Sequence, residues 1–229
     1  KYGDTSLIVK AFTASDGLKS YLLKGVLTSK KGKLKAAYFQ PLTQLELTAT
    51  HKNKGSLETI REVKVINPSQ TLHTHIVKNS LVLFLAEMLA NSIQEQEKDQ
   101  SLYNYLEYAL HWLDNHTNIA NYHLLFLLNL SKYLGFYPEE VNEHSSYFDL
   151  LEGQFISAPS LNPLIEKEHL SHFKKLLGIN FDALSVLKIS KTSRESLLKS
   201  VILYFELHLH GFRKPKSLAV LNAVFDSYA

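Results

Sequence analysis

The chain has 229 residues, of which 45% are hydrophobic and 21% are charged, the composition of an ordinary globular protein. It contains no cysteine, which excludes disulfide bonds and every metal site that needs a thiolate ligand. The net charge of +3 is unevenly spread: residues 1–66 carry 12 Lys or Arg against 5 Asp or Glu, whereas residues 67–229 carry 13 against 17. Halves of opposite sign indicate two domains with different partners.

The sequence shows neither a membrane span nor an export signal. No apolar run reaches the roughly 18 residues that cross a bilayer, and Glu87 interrupts the longest one, Ser80–Ala90. The sequence starts at Lys1 without an initiator methionine, so we expect a further N-terminal segment in the intact protein. An intracellular location is the expectation.

Residues 1–66 have the two-residue period of β-strands. The alternation of polar and apolar residues is clearest at Gln44–Thr50, and Ser15-Asp16-Gly17 predicts a hairpin turn. The short connections leave no room for crossover helices, so the spacing favours a small antiparallel barrel or sandwich. The predicted strands cover residues 6–13, 18–24, 34–40, 43–50 and 59–65.

From about residue 70 the apolar residues follow a helical period instead. Gly135 and Gly178 end two of the helical segments, as glycine commonly does at helix C-termini. Thr192 and Glu195 have the spacing of a capping box at the start of another helix. The predicted helices cover residues 100–116, 119–134, 163–177, 192–210 and 217–228.

The joint between the two halves falls at Asn67-Pro68-Ser69. It predicts a β domain at residues 1–67 and a helical domain at 68–229. The least regular part of the second domain is an insert at about 136–162, where residues 148–157 predict a hairpin or loop.

The sequence contains no complete catalytic motif. A nucleotide-binding P-loop, a serine-hydrolase elbow and a zinc-protease motif are all missing. Among the 11 histidines, His169 and His172 stand with Glu166 at intervals of three on a predicted helix, which would suit a metal-dependent hydrolase. A solvated polar helix face explains the same spacing, so the metal site stays an alternative.

A run of lysines stands out in the basic half. Residues 29–40 have the sequence SKKGKLKAAYFQ, with four lysines in six residues and an aromatic pair after them. Tyr38 and Phe39 are adjacent, so on a strand one of them faces outward, where an exposed ring can stack on a nucleobase. The alternative is a solvated loop whose charge only aids solubility.

Four stretches carry more information together than any one of them alone. In chain order they are YGDTSLIVKAFTASDG (Tyr2–Gly17), GVLTSKKGKLKAAYFQPLTQLEL (Gly25–Leu47), LSKYLGFYP (Leu130–Pro138) and HLHGFRKPKSLAVLNAVF (His208–Phe225). Their order and spacing resemble the bacterial RecO family of recombination mediators over essentially the whole chain.

The resemblance implies an α+β protein, with an N-terminal OB-fold-like β-barrel followed by an all-α helical domain. It also implies a DNA repair and recombination protein that is not an enzyme and has no cofactor. Such a protein binds single- and double-stranded DNA, anneals complementary strands, and loads recombinase together with RecR. It contacts the acidic C-terminal tail of single-strand-binding protein, and it works in the bacterial cytoplasm, near the nucleoid.

The chain departs from the family in two places. Family members usually have a strand before the Tyr-Gly segment, so we expect the first barrel strand to be missing from this sequence. Many members hold zinc with four cysteines in the region that corresponds to residues 135–163, where this chain has no cysteine and only His144. We therefore expect no metal there. A small apolar core would hold the insert, built from Tyr147, Phe148, Leu150 and Phe155.

The basic residues of the first half form the predicted DNA track. Lysine suits contacts that ignore base sequence, because it offers a mobile point charge to a phosphate. Arg61 could extend the track. The predicted DNA-binding residues are Lys19, Lys24, Lys30, Lys31, Lys33, Lys35, Tyr38, Phe39, Lys52 and Lys54.

A second basic cluster lies in the acidic half. Arg213, Lys214 and Lys216 precede an apolar segment, which predicts the rim of a groove for the acidic tail of single-strand-binding protein. A solvated turn between two helices is the alternative. For the chain as a whole, the runner-up function is a protein scaffold whose basic barrel binds acidic proteins instead of DNA.

Overall fold

The computed structural model describes residues 1–28, 34–52, 57–94, 97–138, 141 and 143–228. The N-terminal half is built from strands, and the C-terminal half is built from helices around one small sheet. The strands of the first half are β1 (Leu7–Thr13), β2 (Gly17–Leu23), β3 (Leu45–Thr50) and β4 (Thr59–Val65).

Strands β1 and β2 form the predicted antiparallel hairpin, with Val9 opposite Tyr21. The turn closes because the Thr13 hydroxyl donates to the Gly17 carbonyl at 2.9 Å and accepts from the Asp16 amide at 3.0 Å. Gly17 has φ +66°, a left-handed conformation that glycine adopts without strain. The hairpin prediction is confirmed.

Strands β3 and β4 form a second antiparallel pair, with a bulge between Thr48 and Ala49. The two pairs meet where Glu58 exchanges backbone hydrogen bonds with Ser20 and Leu22 of β2, at 2.8 and 3.0 Å. In the described residues these are two two-stranded sheets rather than a closed barrel. The chain is thus a mixed α and β protein, and the OB-fold-like barrel stays a prediction.

The strand predicted at residues 34–40 is wrong. Ala36–Phe39 forms a short 3-10 helix, in which the Tyr38 amide donates to the Lys35 carbonyl at 3.0 Å. Phe39 packs against the smaller of the two hydrophobic clusters, whose buried members include Tyr21 and Ile60. Packing of this ring has overridden the extended propensity of the segment.

The helices of the second half enclose the larger hydrophobic cluster. The helix at Tyr122–Tyr133 is buried on nearly every side, as its almost wholly apolar sequence predicts. In the described part of the chain, no helix combines the length and apolarity that a membrane span requires. The helices are α1 (Ile76–Ser92), α2 (Gln100–Asn115), α3 (Tyr122–Tyr133), α4 (Lys167–Leu176), α5 (Lys191–His208) and α6 (Leu218–Tyr228).

One predicted helix start and one predicted helix cap are wrong. The helix predicted from residue 163 begins only at Lys167, because Leu164–Glu166 pairs with a strand of the insert. Helix α5 is capped by Ser190, whose hydroxyl accepts from the Ser193 amide at 3.1 Å, so the capping box at Thr192 is displaced by two residues.

The insert forms a three-stranded sheet of β5 (Tyr147–Asp149), β6 (Gln154–Ile156) and β7 (Leu164–Glu166), with β5 in the centre. The hairpin predicted at 148–157 is confirmed. Phe148 is fully buried and its ring lies 4.7 Å from that of Phe173 on α4, measured between centroids. Of the other residues predicted for this small core, Leu150 is buried, while Tyr147 and Phe155 are half-buried.

Loops on both sides of the insert are held by Asp149. Its carboxylate accepts from the amides of Leu151 and Glu152 at 3.0 and 3.1 Å. It also accepts from the Ser160 hydroxyl at 2.6 Å and from the Asn162 side-chain amide at 3.0 Å. The side chain thus cross-links the hairpin turn to the segment that leads into β7.

The segment after Pro68 is fastened to helix α2 by a second carboxylate. Asp114 accepts from the amides of Gln70 and Thr71 at 2.8 and 2.7 Å. Lys78 is 4% exposed, and its ammonium donates to the Thr71 hydroxyl and to the Asp114 carbonyl, both at 2.7 Å. Burial of Lys78 lowers the pKa of its ammonium, although Asp114 opposes this effect.

Candidate nucleic-acid interface

Basic side chains outnumber acidic ones at the described surface of the N-terminal half, taken as residues 1–66. Seven lysines or arginines are exposed there, against three acids. An excess of this kind creates a positive potential that attracts a polyanion. The exposed bases are Lys1, Lys10, Lys24, Lys35, Lys52, Arg61 and Lys64, and the exposed acids are Asp4, Glu46 and Glu62.

The other two acids of this half are engaged in internal contacts. Glu58 is 5% exposed, and its carboxylate accepts from the Lys52 backbone amide at 2.8 Å. Asp16 accepts from the Ser15 hydroxyl and lies 3.5 Å from the His51 ring. The hydrogen bond from Ser15 lowers the pKa of Asp16, with smaller contributions from His51 and Lys19. Burial therefore removes only Glu58 from the surface, because the Asp16 side chain is 42% exposed and offsets part of the positive charge.

The same network ties the ends of the two sheets together. The Tyr21 hydroxyl lies 2.9 Å from His51 Nε2, and His51 follows β3 directly. Burial raises the pKa of Tyr21, and the charges of Asp16 and Glu58 add to this effect. The tyrosine is therefore neutral at physiological pH, and the contact positions His51 rather than preparing a nucleophile.

The predicted lysines lie in different surroundings. Lys24 is exposed in the turn after β2, and Lys35 is exposed just before the 3-10 helix. Lys52 is exposed after β3. Lys19 is half-buried on the side of β2 that carries Tyr21, so it is less accessible than the other three. Lys30, Lys31, Lys33 and Lys54 lie outside the described residues.

The expectation that either Tyr38 or Phe39 faces outward from a strand is wrong, because the segment is a 3-10 helix. Both rings are half-buried. The Lys35 ammonium lies 5.9 Å from the centroid of the Tyr38 ring, and Phe39 packs in the smaller hydrophobic cluster. Neither ring is freely available to a base in this conformation.

Tyr2 is 54% exposed. It begins a tight turn in which its amide donates to the Ser6 carbonyl at 2.8 Å.

A cleft of about 710 Å3 lies between the two halves, lined by β1, β3, α1 and α2. The Phe12 and Tyr103 rings meet across it, with 6.5 Å between centroids. Most of its lining is apolar, and Lys10 is the one lysine or arginine among the described residues that line it. The cleft therefore lacks the row of cations that a phosphate backbone requires.

The C-terminal basic cluster lies in the connection between α5 and α6. Arg213 and Lys216 are exposed, and the Lys214 ammonium pairs with Glu206 at 3.0 Å. Helix α1 anchors the connection, because Glu87 accepts from the Ser217 amide and hydroxyl at 2.8 and 2.6 Å.

The apolar residues beside this cluster are mostly committed to the protein core. Leu221 is buried, and Phe212 and Leu218 are half-buried against the larger cluster. Val220 is 51% exposed, and Leu83, one turn before Glu87 on α1, is 41% exposed. An apolar group of a ligand could contact these two side chains.

The metal alternative fails on geometry. Glu166 ends β7, outside the helix that carries His169 and His172, so the three side chains do not share a helical face. Glu166 instead pairs with Lys167 at 3.1 Å. In the part of the chain that the structure describes, no group of three or more His, Cys, Asp or Glu side chains could hold a metal ion.

Comparison with known proteins agrees with the resemblance over both halves. The family model described as "Recombination protein O N terminal" matches residues 1–69, and "Recombination protein O C terminal" matches residues 73–219. DNA repair protein RecO of Christiangramia forsetii is 52% identical over 225 residues, which cover 98% of this chain and 94% of the relative. Its counterparts in Flavobacterium psychrophilum and Bacteroides fragilis are 49% and 36% identical, over 99% of this chain and 94% and 95% of the relatives.

Proposed function

Because the chain belongs to the RecO family of DNA repair proteins, we propose that it binds DNA through its basic N-terminal half. The observation that carries the proposal is the surface charge of this half, where seven exposed bases stand against three exposed acids among the described residues. Lys30, Lys31 and Lys33 add three further positive charges in the same half.

Lysine accounts for most of this charge, with Arg61 the one arginine in the half. An ammonium group contacts phosphate as a point charge and lacks the planar fork with which arginine reads guanine. We therefore assign the surface to sequence-independent contact with the backbone of single- and double-stranded DNA. A mediator of repair needs this property because damage occurs at any sequence.

The finer functions follow from family membership and from the division of charge. We propose that the protein anneals complementary strands, loads recombinase together with a RecR-type partner, and catalyses no bond chemistry. Residues 1–67 would form an OB-fold-like domain and residues 68–229 a helical domain, in the cytoplasm near the nucleoid. Neutralising phosphates on two strands with one basic surface lowers their mutual repulsion, which favours annealing.

The second basic cluster suits an acidic peptide. Arg213 and Lys216 are exposed beside Val220, an arrangement that offers cations to carboxylates and an apolar contact to a hydrophobic terminal residue. We assign this position to the C-terminal tail of single-strand-binding protein. Lys214 contributes less, because its ammonium is already paired with Glu206.

The experiment is a binding titration of the protein with fluorescent oligo(dT) over a salt series. The proposal predicts measurable affinity at low salt and a negative slope of log K against log salt, at about −0.7 per phosphate contacted. A folded protein with no affinity for the oligonucleotide, but with salt-dependent affinity for an acidic protein, would support the scaffold function instead.

A further inference from the structure

Two loops of the insert present leucine side chains to solvent. Leu151 lies in the turn between β5 and β6 and is 43% exposed, and Leu161 lies in the connection from β6 to β7 and is fully exposed. All of residues 157–161 are exposed. Apolar side chains that are grouped at the surface of a monomer commonly mark an interaction site. Leu151, Glu152 and residues 157–161 are called the leucine knob below.

The leucine knob has a fixed shape because both of its loops are bound to Asp149. The Asp149 carboxylate accepts from the Leu151 amide at 3.0 Å in one loop and from the Ser160 hydroxyl at 2.6 Å in the other. The Leu150 amide also donates to the Pro163 carbonyl at 3.0 Å. A preorganised surface loses little conformational freedom on binding, so the apolar contacts of the knob are retained as affinity.

The surroundings of the leucine knob are acidic. Residues 133–166 contain six Asp or Glu and no Lys or Arg, and Glu152 is exposed within the knob itself. Two lysines of α4 border the insert, but Lys167 pairs with Glu166 at 3.1 Å, and Lys174 donates to two backbone carbonyls of the insert. This charge repels DNA, and a matching surface combines cations with apolar side chains.

The chain itself carries a surface of that kind. In the basic cluster between α5 and α6, Arg213 and Lys216 are exposed, and Val220 is 51% exposed at the start of α6. The carboxylate of Glu152 complements the two cations, and the leucines of the knob complement the apolar side chain. The leucine knob therefore has the same combination of negative charge and apolar groups as the acidic tail that we assign to this cluster.

Both surfaces lie at the C-terminal end of α5. The His208 ring, at the end of this helix, has its Nε2 atom 3.0 Å from the Leu150 carbonyl, next to the knob. The Phe212 ring, directly before the basic cluster, packs 6.0 Å from the Phe205 ring, measured between centroids. Two copies that exchange such complementary surfaces about a two-fold axis make each contact twice, and their assembly stops at a dimer.

We propose that the leucine knob of one copy docks on the basic cluster of a second copy, in a reciprocal dimer. The inference builds on the proposed function, because the second copy occupies the surface that we assign to the acidic tail of single-strand-binding protein. Dimer formation and tail binding then exclude each other, so the tail binds the monomer. Self-association thereby regulates access to the basic cluster.

The test is sedimentation velocity of the protein over a concentration series. The unmodified chain should show a reversible monomer–dimer equilibrium. The double variant Leu151→Ser, Leu161→Ser should raise the dissociation constant by at least about tenfold, because both apolar contacts are lost. Val186→Ser removes an 80% exposed valine elsewhere in the helical half and should leave the constant unchanged. A chain that stays monomeric at every concentration, or a dimer that the double variant leaves intact, would overturn the proposal.

A charge exchange separates this contact from other modes of association. Glu152→Lys should weaken the dimer, and so should the double variant Arg213→Glu, Lys216→Glu. An equimolar mixture of these two proteins should associate more tightly than either does alone, because each knob then meets a cluster of opposite charge. A mixture that associates no better than its components would overturn the proposal.

The last measurement distinguishes this proposal from the tail assignment. An acidic peptide that ends in apolar residues should dissociate the dimer, since both use the same cluster. A peptide that binds without dissociating the dimer would overturn the docking proposal. If the peptide does not bind, but the variants and the mixture behave as expected, the tail assignment has failed and the docking proposal is supported.

Discussion

Replacement of Asp149 should destabilise the helical half more than any surface substitution. The carboxylate is 2% exposed and accepts from two backbone amides, a hydroxyl and a side-chain amide. It joins the β5–β6 turn to the segment before β7. Asp149 is therefore the residue that we expect to cross-link the insert.

The expected loss of folding free energy follows from the four hydrogen bonds that Asp149 accepts. A hydrogen bond to a charged group contributes about 1.5–3 kcal/mol, but burial of the carboxylate offsets much of the gross sum. Removing the carboxylate leaves its two backbone donors without an acceptor, at about 1–3 kcal/mol for each one that stays buried, so about 2–6 kcal/mol in all. Ser160 is exposed and can return to water, so we expect about 3 kcal/mol for Asp149→Ala, at the low end of that range. Asp149→Asn keeps the shape and one acceptor, so about 2 kcal/mol is expected.

The assay is urea denaturation followed by circular dichroism, with the exposed neighbour Glu152→Gln as a control for the change in charge. Burial alone would raise the pKa of Asp149, but its hydrogen bonds lower the pKa overall. The carboxylate therefore stabilises the fold above its unfolded pKa of about 3.9, and this contribution is lost as pH falls through the lower folded pKa. A loss below about 1 kcal/mol at pH 7 for Asp149→Ala, or one equal to that of Glu152→Gln, would refute the reasoning.

Three other outcomes are expected. Treatment with EDTA should leave the melting temperature unchanged, since the insert is closed by Asp149 and an apolar core; a marked drop would reveal a metal site. Reversing charge with Lys214→Glu and Lys216→Glu should weaken binding of an acidic peptide that ends in apolar residues but spare DNA binding, and unchanged peptide affinity would exclude this cluster. Lys78→Met should lower the free energy of unfolding by about 1–3 kcal/mol, because it removes the hydrogen bonds that the ammonium donates to the Thr71 hydroxyl and to the Asp114 carbonyl; an unchanged denaturation midpoint would contradict this.

Elements with a strong local signal could be predicted from the sequence. The β1–β2 hairpin follows from Asp16-Gly17, because the turn needs a left-handed residue at that point. Helix α2 follows from its leucine spacing, and α3 follows from its unbroken apolar run. In each case the period of the apolar residues and the turn residues favour the same local structure, and the tertiary contacts are compatible with it.

The errors arose where tertiary contacts outweigh local pattern. Leu164–Glu166 looks like the start of a helix, but pairing with β5 makes it a strand. The segment before Pro41 looks extended, but packing of Phe39 makes it a 3-10 helix, which removed the basis for an outward-facing ring there. Charge could place the candidate interface in one half. Which aromatic rings stay exposed depends on which of them pack into the core, and no local pattern reports that.

The central claim, that the basic half of the chain binds DNA, is tested most directly by comparing two quadruple variants. One replaces Lys30, Lys31, Lys33 and Lys35 by alanine, and the other replaces four exposed lysines of the acidic half, namely Lys132, Lys175, Lys188 and Lys199. The two variants lose the same charge, and circular dichroism should show the fold of the unmodified chain in both. On oligo(dT), the first variant should flatten the slope of log K against log salt by up to about 2–3 units, at roughly 0.7 per phosphate contact, while the second keeps the slope of the unmodified chain. Equal slopes for all three proteins, or a flattened slope only in the second variant, would contradict the claim.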